Sequence, residues 1–129
     1  MEQSGPFVLV VEDEHAIQGF VEDVLNEAGF GAVSLSSGEE ALTILKADKD
    51  KFSALLTDVN LAGRSTGWDV AMRVRELKPE MPVIYMSGSA GEQWPAHGVP
   101  GSILLIKPFA PAQLVTAVSQ LLNVGSSKI

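Results

Sequence analysis

Short apolar runs alternate with segments of helical periodicity along this 129-residue chain, and this alternation is the strongest constraint on its fold. The run at residues 7–11 is continuous and rich in β-branched side chains, as expected of a strand that helices bury on both faces. Similar runs occupy residues 53–57, 82–86 and 102–106, and a weaker one occupies residues 32–35. Strands that alternate with helices predict right-handed crossovers and a parallel sheet. We therefore expect an α/β fold with a doubly wound, five-stranded parallel sheet.

The segments between these runs carry start and stop signals for helices. The first predicted helix covers about residues 14–28 and ends at Gly29, and the second begins after Ser37, whose side chain can cap it. The third ends before Pro79, and the last begins near Pro111, because proline suits a first helical turn. Each of these helices has an apolar stripe that can cover one face of the sheet.

The stretch at residues 88–101 encodes a regular helix poorly. It contains four glycines and two prolines, and its one large apolar residue is Trp94. We expect a short or irregular fourth helix here. Trp94 is either a packing anchor for the irregular segment or a contact for a partner, and the sequence favours neither interpretation. His15 and His97 are interpreted as surface residues.

Composition excludes several classes of function. The chain has no cysteine, which excludes disulfides and zinc–thiolate sites, and its formal net charge of −7 disfavours direct binding to nucleic acid. No apolar run approaches the ~18 residues of a membrane helix, and the first residues lack the pattern of a signal peptide. We expect a cytoplasmic protein that does not insert into membranes.

Each of the four stronger runs ends on residues suited to phosphate chemistry. Glu12 and Asp13 follow the first run, Asp58 follows the next, and Ser87 and Lys107 follow the last two. Parallel strands bring these positions to one carboxyl edge, where open α/β sheets bind ligands. Each residue alone has an ordinary explanation as a turn, cap or solvated side chain. Their joint placement predicts a phosphoryl site.

The predicted site has the groups that covalent phosphoryl transfer needs. A carboxylate such as that of Asp58 can attack phosphorus and form a transient acyl phosphate. Three crowded carboxylates, those of Glu12, Asp13 and Asp58, repel one another by about 4 kcal/mol per pair at ~4 Å and favour binding of a divalent cation. Mg²⁺ fits best, because it prefers a few carboxylates together with phosphate oxygens.

At these positions the sequence resembles the receiver domains of two-component response regulators. The resemblance extends over residues 7–123 and leaves 1–6 and 124–129 as terminal tails; it implies the flavodoxin-like strand order 2-1-3-4-5 and a single-domain response regulator. It rests on four motifs, Val-Glu-Asp-Glu at 11–14, Thr-Asp-Val-Asn at 57–60, Met-Ser-Gly at 86–88 and Lys-Pro-Phe at 107–109.

The resemblance also implies roles for individual residues. Asp58 would be the phosphoacceptor. A sensor histidine kinase or a histidine phosphotransfer protein would supply the phosphate, and the phosphorylated surface would change binding to an unidentified output protein. The chain would be a switch that catalyses only its own phosphorylation and dephosphorylation. Mg²⁺ would be bound by Asp13, Asp58 and the backbone carbonyl of Asn60, with Glu12 acting through water, and the phosphoryl group would be bound by Ser87 and Lys107.

One position departs from the family pattern. Receivers commonly carry an aromatic residue three positions before the lysine, and its movement accompanies phosphorylation; here that position is Leu104. The usual aromatic switch is therefore in doubt. The irregular 88–101 segment coincides with a face that many receivers use to form homodimers or to contact their output, so a homodimer is a further expectation.

Two alternative functions are compatible with parts of this pattern. A degenerate receiver would act only as an interaction module, although the complete set of acidic and phosphate-binding residues argues against it. A phosphatase of the haloacid dehalogenase type also uses an aspartyl nucleophile, Mg²⁺ and a lysine. The motif of those enzymes resembles Asp-x-Asp, whereas this chain has Asn60 two residues after Asp58. Those enzymes also usually need a longer chain to form a substrate cap.

Overall fold

The computed structural model describes residues 6–89 and 91–126, and its centre is a five-stranded parallel sheet. The strand order is β2-β1-β3-β4-β5, and every neighbouring pair is parallel. Both the doubly wound α/β class and the strand order 2-1-3-4-5 are therefore confirmed. The strands are β1 (Phe7–Val11), β2 (Gly31–Leu35), β3 (Phe52–Asp58), β4 (Val83–Ser87) and β5 (Ile103–Ile106).

The helices begin and end at the signals in the sequence. Gly29 has a φ of +95°, which glycine adopts readily, and the first helix ends just before it. The Ser37 hydroxyl accepts a hydrogen bond of 3.2 Å from the backbone N–H of Glu40. No helix in the described part of the chain is long and apolar enough to cross a membrane. The helices are α1 (His15–Glu27), α2 (Gly38–Ala47), α3 (Gly67–Leu77), α4 (Trp94–His97) and α5 (Pro111–Ser126), with one 3₁₀ turn at Lys49–Lys51.

The last helix continues into the predicted C-terminal tail. α5 extends to Ser126, so residues 124–126 of that tail are helical. Asn123 and Val124 are neither glycine nor proline, so no strong helix breaker precedes Gly125. Residues 127–129 of the predicted C-terminal tail and residues 1–5 of the N-terminal tail lie outside the described residues.

Two apolar layers hold the sheet between the helices. On one face, Leu45 of α2 and Val74 of α3 pack with buried side chains such as Leu9 and Leu55. On the other face, Leu25 of α1 and Leu114 of α5 belong to a cluster with alternate residues of the same strands, such as Val8, Val10, Leu56 and Ile84. Because successive side chains of a strand point to opposite faces, the continuous apolar runs supply both layers. Packing on both faces of the sheet holds the strands in place, and with them the strand ends that carry the polar groups.

The segment that follows β4 contains only one turn of helix, as predicted. Trp94 is half-buried, packs against the core and donates from Nε1 to the Ser102 hydroxyl at 3.0 Å. Ser102 in turn donates to the carbonyl of Val99 at 2.6 Å. These contacts favour the packing-anchor interpretation of Trp94. His15 and His97 are exposed, as expected.

Candidate functional site

The polar residues at the strand ends meet at one edge of the sheet. β1, β3 and β4 lie side by side, and the Val59 N–H donates to the Met86 carbonyl at 2.9 Å, which extends their pairing beyond Asp58. The Lys107 N–H donates to the Ser87 carbonyl at the same distance of 2.9 Å. The sheet backbone therefore aligns the ends of β3, β4 and β5.

Three carboxylates form the acidic part of this site. Glu12, Asp13 and Asp58 each offer an oxygen, and these oxygens lie within 4.8 Å of one another. Glu12 is 0% and Asp58 is 6% exposed. Burial raises the pKa of Glu12 and the pKa of Asp58 above their ordinary values, despite the opposing effects of Lys107 and of backbone N–H donors. Such a buried, mutually repelling cluster is an arrangement that a cation can stabilise.

Lys107 lies between two of these carboxylates. Its Nζ is 3.0 Å from Glu12 Oε1 and 3.4 Å from Asp58 Oδ2. Burial by itself would lower the pKa of Lys107, but the hydrogen bond to Glu12 and the charge of Asp58 outweigh it and raise the pKa. The ammonium is therefore held in its charged form beside Asp58.

Glu12 uses both carboxylate oxygens within the protein. Oε1 accepts from Lys107, and Oε2 accepts from the Glu14 N–H at 3.1 Å. The Glu12 backbone carbonyl also accepts a hydrogen bond from the Gln18 side chain. This buried acid is fixed in place by its neighbours.

Ser87 and Asn60 complete the set of predicted residues at this edge. Ser87 is fully buried, and its hydroxyl accepts from the Ser89 N–H at 3.1 Å. Asn60 is exposed two residues after Asp58, and its backbone N–H hydrogen-bonds to the Asp58 carboxylate. Ser87 is the last residue of β4, and Asn60 lies two residues after the end of β3.

Leu104 contributes to the core. It is partly buried, it packs on the α2–α3 side of the sheet, and its Cα pairs with that of Tyr85 on β4. Tyr85 is fully buried, its ring lies 4.6 Å from that of Trp68, and its hydroxyl accepts from the Val99 N–H at 3.1 Å. An aromatic residue therefore occupies the strand beside Leu104.

Sequence analysis missed two backbone contacts around the site. Gly67 lies against the Asp58 carbonyl, and a Cβ added to Gly67 would be 2.1 Å from that oxygen. The Ala62 N–H donates to Asp13 Oδ2 at 2.8 Å. A glycine at a helix start and an alanine in a loop carry no distinctive signal, so neither contact was predictable from the sequence.

A protein-family comparison matches residues 8–119 to the response regulator receiver domain. The chain belongs to this receiver family. The receiver is 41% identical to a response regulator receiver protein from Sinorhizobium medicae, with a TM-score of 0.89 over 95% of this chain and 98% of that one. It is 28% identical to the chemotaxis protein CheY4 of Vibrio cholerae, with a TM-score of 0.82 over 92% of this chain and 100% of that one.

Longer curated proteins contain a matching region. The receiver is 32% identical over 113 residues to the two-component response regulator ARR14 of Arabidopsis thaliana, covering 86% of this chain and 29% of that protein. It is 32% identical over 88 residues to the sensor kinase/phosphatase LuxN of Vibrio campbellii, covering 68% of this chain and 10% of that protein. The receiver thus spans less than a third of the length of these two relatives.

This membership assigns the receiver to two-component signalling. Receiver domains take phosphate from histidine kinases, and the family is typically a signalling module without enzymatic turnover. The cluster of Glu12, Asp13 and Asp58 fits the phosphorylation and metal site of such a domain and could hold a metal ion.

Proposed function

We propose that this receiver accepts a phosphoryl group on Asp58 and that phosphorylation switches its binding to an output protein. The observation that carries the proposal is the position of Asp58. Its carboxylate is almost fully buried at the sheet edge, between two other acids and 3.4 Å from the Lys107 ammonium. A buried carboxylate with a cation beside it is suited to become a phosphorylated group whose charge is neutralised in place.

The proposed reaction is a transfer from a phosphohistidine. An oxygen of Asp58 attacks phosphorus, the new P–O bond forms as the P–N bond to the donor imidazole breaks, and the imidazole retains the bond's electron pair and takes up a proton. The product is an acyl phosphate. Asp58 attacks as a carboxylate, so the nearby positive charge of Lys107 favours its reactive form.

Mg²⁺ is the cation that we assign to this acidic cluster. Its proposed ligands are Asp13, Asp58 and the Asn60 carbonyl, with Glu12 acting through water because both of its carboxylate oxygens already accept hydrogen bonds. The donor set contains only oxygen, as Mg²⁺ prefers. When bound, the ion would offset negative charge on the carboxylates and on the transferring group.

Lys107 and Ser87 are assigned to the phosphoryl group. Lys107 lies next to Asp58, so a small movement of its ammonium from the carboxylate to a phosphoryl oxygen would retain its ion pairing. The Ser87 hydroxyl can donate to another phosphoryl oxygen, and such a bond would draw the end of β4 towards the site. That displacement is our proposed start of the switch, and the following segment up to residue 101 is its proposed readout.

A histidine kinase or histidine phosphotransfer protein is the proposed donor. A groove of about 490 Å³ opens beside Lys107, and its walls are mainly apolar side chains, among them Ile17, Phe20 and Phe109. Its position next to the acceptor suits a protein that brings a phosphohistidine to Asp58. Phe20→Ala should therefore slow transfer from a phosphotransfer protein and leave labelling by acetyl phosphate unchanged. Equal slowing of both reactions would contradict a docking role.

The test of the phosphoacceptor is intact-protein mass spectrometry after incubation with acetyl phosphate. We expect one phosphoryl adduct that requires Mg²⁺ and is absent from Asp58→Asn, while the matched control Asp23→Asn, on the exposed face of α1, retains it. An adduct that persists in Asp58→Asn would show that Asp58 is not the phosphoacceptor. No adduct under any condition would favour the degenerate receiver, and steady turnover of phosphomonoesters would favour the phosphatase.

A further inference from the structure

A hydrogen bond ties β4 to the segment that follows α4. Tyr85 on β4 is fully buried, and its hydroxyl accepts from the Val99 N–H at 3.1 Å, across 14 residues of sequence. Burial raises the pKa of Tyr85 above its ordinary value, so the hydroxyl stays neutral around pH 7. Val99 is itself only 8% exposed. The bond therefore joins the sheet to a loop within the protein interior, where the loss of a partner is costly.

Val99 lies at the centre of a unit that is closed by its own contacts, the 94–102 segment. The Ser102 hydroxyl donates to the Val99 carbonyl at 2.6 Å and accepts from Trp94 Nε1 at 3.0 Å. The Gly98 N–H donates to the Trp94 carbonyl at 2.8 Å, and a Cβ added to Gly98 would overlap the Trp94 ring. These contacts connect the segment internally, so a displacement of Val99 is passed to its neighbours.

Tyr85 and Ser87 lie on the same strand and on the same face of the sheet. Side chains of a strand alternate between faces, and the neighbours of Tyr85, Ile84 and Met86, belong to the opposite apolar layer. Two residues of a strand span about 6.6 Å, so Tyr85 lies one side-chain repeat back from Ser87. The Tyr85 ring packs against Trp68, with the ring centroids 4.6 Å apart. A shift of Ser87 therefore moves a side chain that has little freedom to rotate away.

The bond between Tyr85 and Val99 can transmit movement because hydrogen-bond geometry is narrow. An N–H···O bond weakens outside donor–acceptor distances of about 2.7–3.2 Å, and this one is already 3.1 Å long. A shift of β4 thus either carries Val99 with it or leaves a buried N–H without its acceptor, which is the costlier outcome. Leu104, which pairs with Tyr85 from β5, has no polar side-chain atom and cannot supply such a bond.

We propose that Tyr85 transmits phosphorylation from Ser87 to the 94–102 segment through the hydrogen bond that its hydroxyl accepts from Val99. This inference rests on the proposed function, since it takes Asp58 as the phosphoacceptor and Ser87 as a ligand of the phosphoryl group. When Ser87 draws the end of β4 towards the phosphoryl group, Tyr85 moves with the strand and Val99 follows its acceptor. The segment then takes up the more ordered arrangement that we expect of the phosphorylated receiver. Tyr85 is a positioning residue in this scheme, because its effect reaches the segment through Val99.

The test compares amide exchange in wild type, Tyr85→Phe and Ser102→Ala, each with and without phosphorylation by excess acetyl phosphate and Mg²⁺. Peptides that cover residues 91–101 report on the segment, and intact-protein mass confirms that each labelled sample is fully phosphorylated. We expect phosphorylation to slow exchange about fivefold in the wild type, the effect of one net hydrogen bond. Tyr85→Phe should show no change upon phosphorylation. The matched control Ser102→Ala removes hydrogen bonds of the same segment but keeps the Tyr85 acceptor, so it should retain the fivefold change.

Three results would overturn the inference. A fivefold change that persists in Tyr85→Phe would show that the signal does not pass through the hydroxyl. Equal loss of the change in Tyr85→Phe and Ser102→Ala would assign it to the general stability of the segment. Unchanged exchange in fully phosphorylated wild type would remove the response itself. Absence of a phosphoryl adduct on the wild type would instead refute the proposed function, and the inference with it.

A second variant removes the donor and leaves Tyr85 in place. Replacing Val99 with α-hydroxyisovaleric acid through nonsense suppression changes its N–H to an ester oxygen and keeps its side chain. This variant should lose the phosphorylation-dependent change in the remaining amides of the segment, as Tyr85→Phe does. A wild-type response in the folded ester variant would exclude the bond between Tyr85 and Val99 as the route.

Discussion

Neutralising Asp58 should stabilise the metal-free protein, although it removes an ion-pair partner of Lys107. At an effective dielectric constant of 20, Asp58 gains about 5 kcal/mol from Lys107 at 3.4 Å and loses at least about 3.5 kcal/mol to each of Glu12 and Asp13, whose oxygens lie within 4.8 Å. The two repulsions exceed the attraction by at least about 2 kcal/mol. Burial adds a cost of desolvation, in agreement with the raised pKa of Asp58. We therefore expect Asp58→Asn to increase the free energy of unfolding at pH 7 by about 1–3 kcal/mol.

Urea denaturation followed by circular dichroism measures this difference, with Asp23→Asn as a control that should lie within about 0.5 kcal/mol of wild type. The gain should depend on pH in a defined direction. Burial raises the pKa of Asp58 in the folded protein above its ordinary 3.8. The contribution of Asp58 to wild-type stability is therefore complete below pH 3.8 and is lost as pH rises through the folded-state pKa. The advantage of Asp58→Asn should accordingly shrink as pH falls from 7 towards 4.

Mg²⁺ should act in the opposite direction on the stability difference between Asp58→Asn and the wild type. A cation that binds the folded state stabilises the wild type in proportion to its occupancy, whereas Asp58→Asn lacks one proposed ligand. The stability difference should therefore narrow or reverse in excess Mg²⁺. A metal-free Asp58→Asn protein that is less stable than the wild type would refute the reasoning, because the attraction of Lys107 would then outweigh the repulsion and the burial.

Three further predictions concern the surroundings of the site. Gly67→Ala should cost about 1–3 kcal/mol of stability and slow phosphorylation, because its Cβ would overlap the Asp58 carbonyl. The control Gly19→Ala, where a Cβ meets nothing within 4 Å, should be neutral or stabilising, and equal denaturation midpoints for the two variants would contradict this prediction. Tyr85→Phe should lose about 1 kcal/mol at pH 7 by leaving the Val99 N–H without its acceptor. Because burial raises the pKa of Tyr85 above 10.0, the wild type should lose stability as pH rises through that value, so a deficit of Tyr85→Phe that stays constant in alkaline urea titrations would contradict the assignment. Amide exchange in residues 91–101 should slow upon phosphorylation, measured by mass spectrometry of peptides; unchanged protection in a fully phosphorylated sample would exclude this segment as the readout.

Much of the fold was predictable because its signals are local. The apolar runs predicted all five strands, and Ser37, Gly29 and Pro111 predicted helix boundaries through caps, a positive φ and a fixed first turn. The scarcity of helix formers after β4 predicted the single turn of α4. The sequence did not indicate that α5 would continue to Ser126, because no single residue near 123 specifies where that helix stops.

The site was predictable only as a set of positions. Parallel strands place their carboxyl ends at one edge, so the order of Asp13, Asp58, Ser87 and Lys107 along the chain was enough to bring them to that edge. The sequence did not indicate that Glu12 would be fully buried with both carboxylate oxygens hydrogen-bonded. It also did not indicate that Leu104 would lie beside a buried Tyr85.

The sequence by itself determined which residues are buried in strands and helices, and which polar groups end the strands, because those properties depend on periodicity and residue type within a few positions. Only the tertiary structure decided the contacts that join distant segments: Lys107 between Glu12 and Asp58, Gly67 against the Asp58 carbonyl, and the Ala62 N–H on Asp13. Two of these contacts use backbone atoms of a glycine and an alanine, which carry no distinctive signal in the sequence. These contacts could not be foreseen from the residue pattern, because they form only when the packed sheet brings the chain segments together.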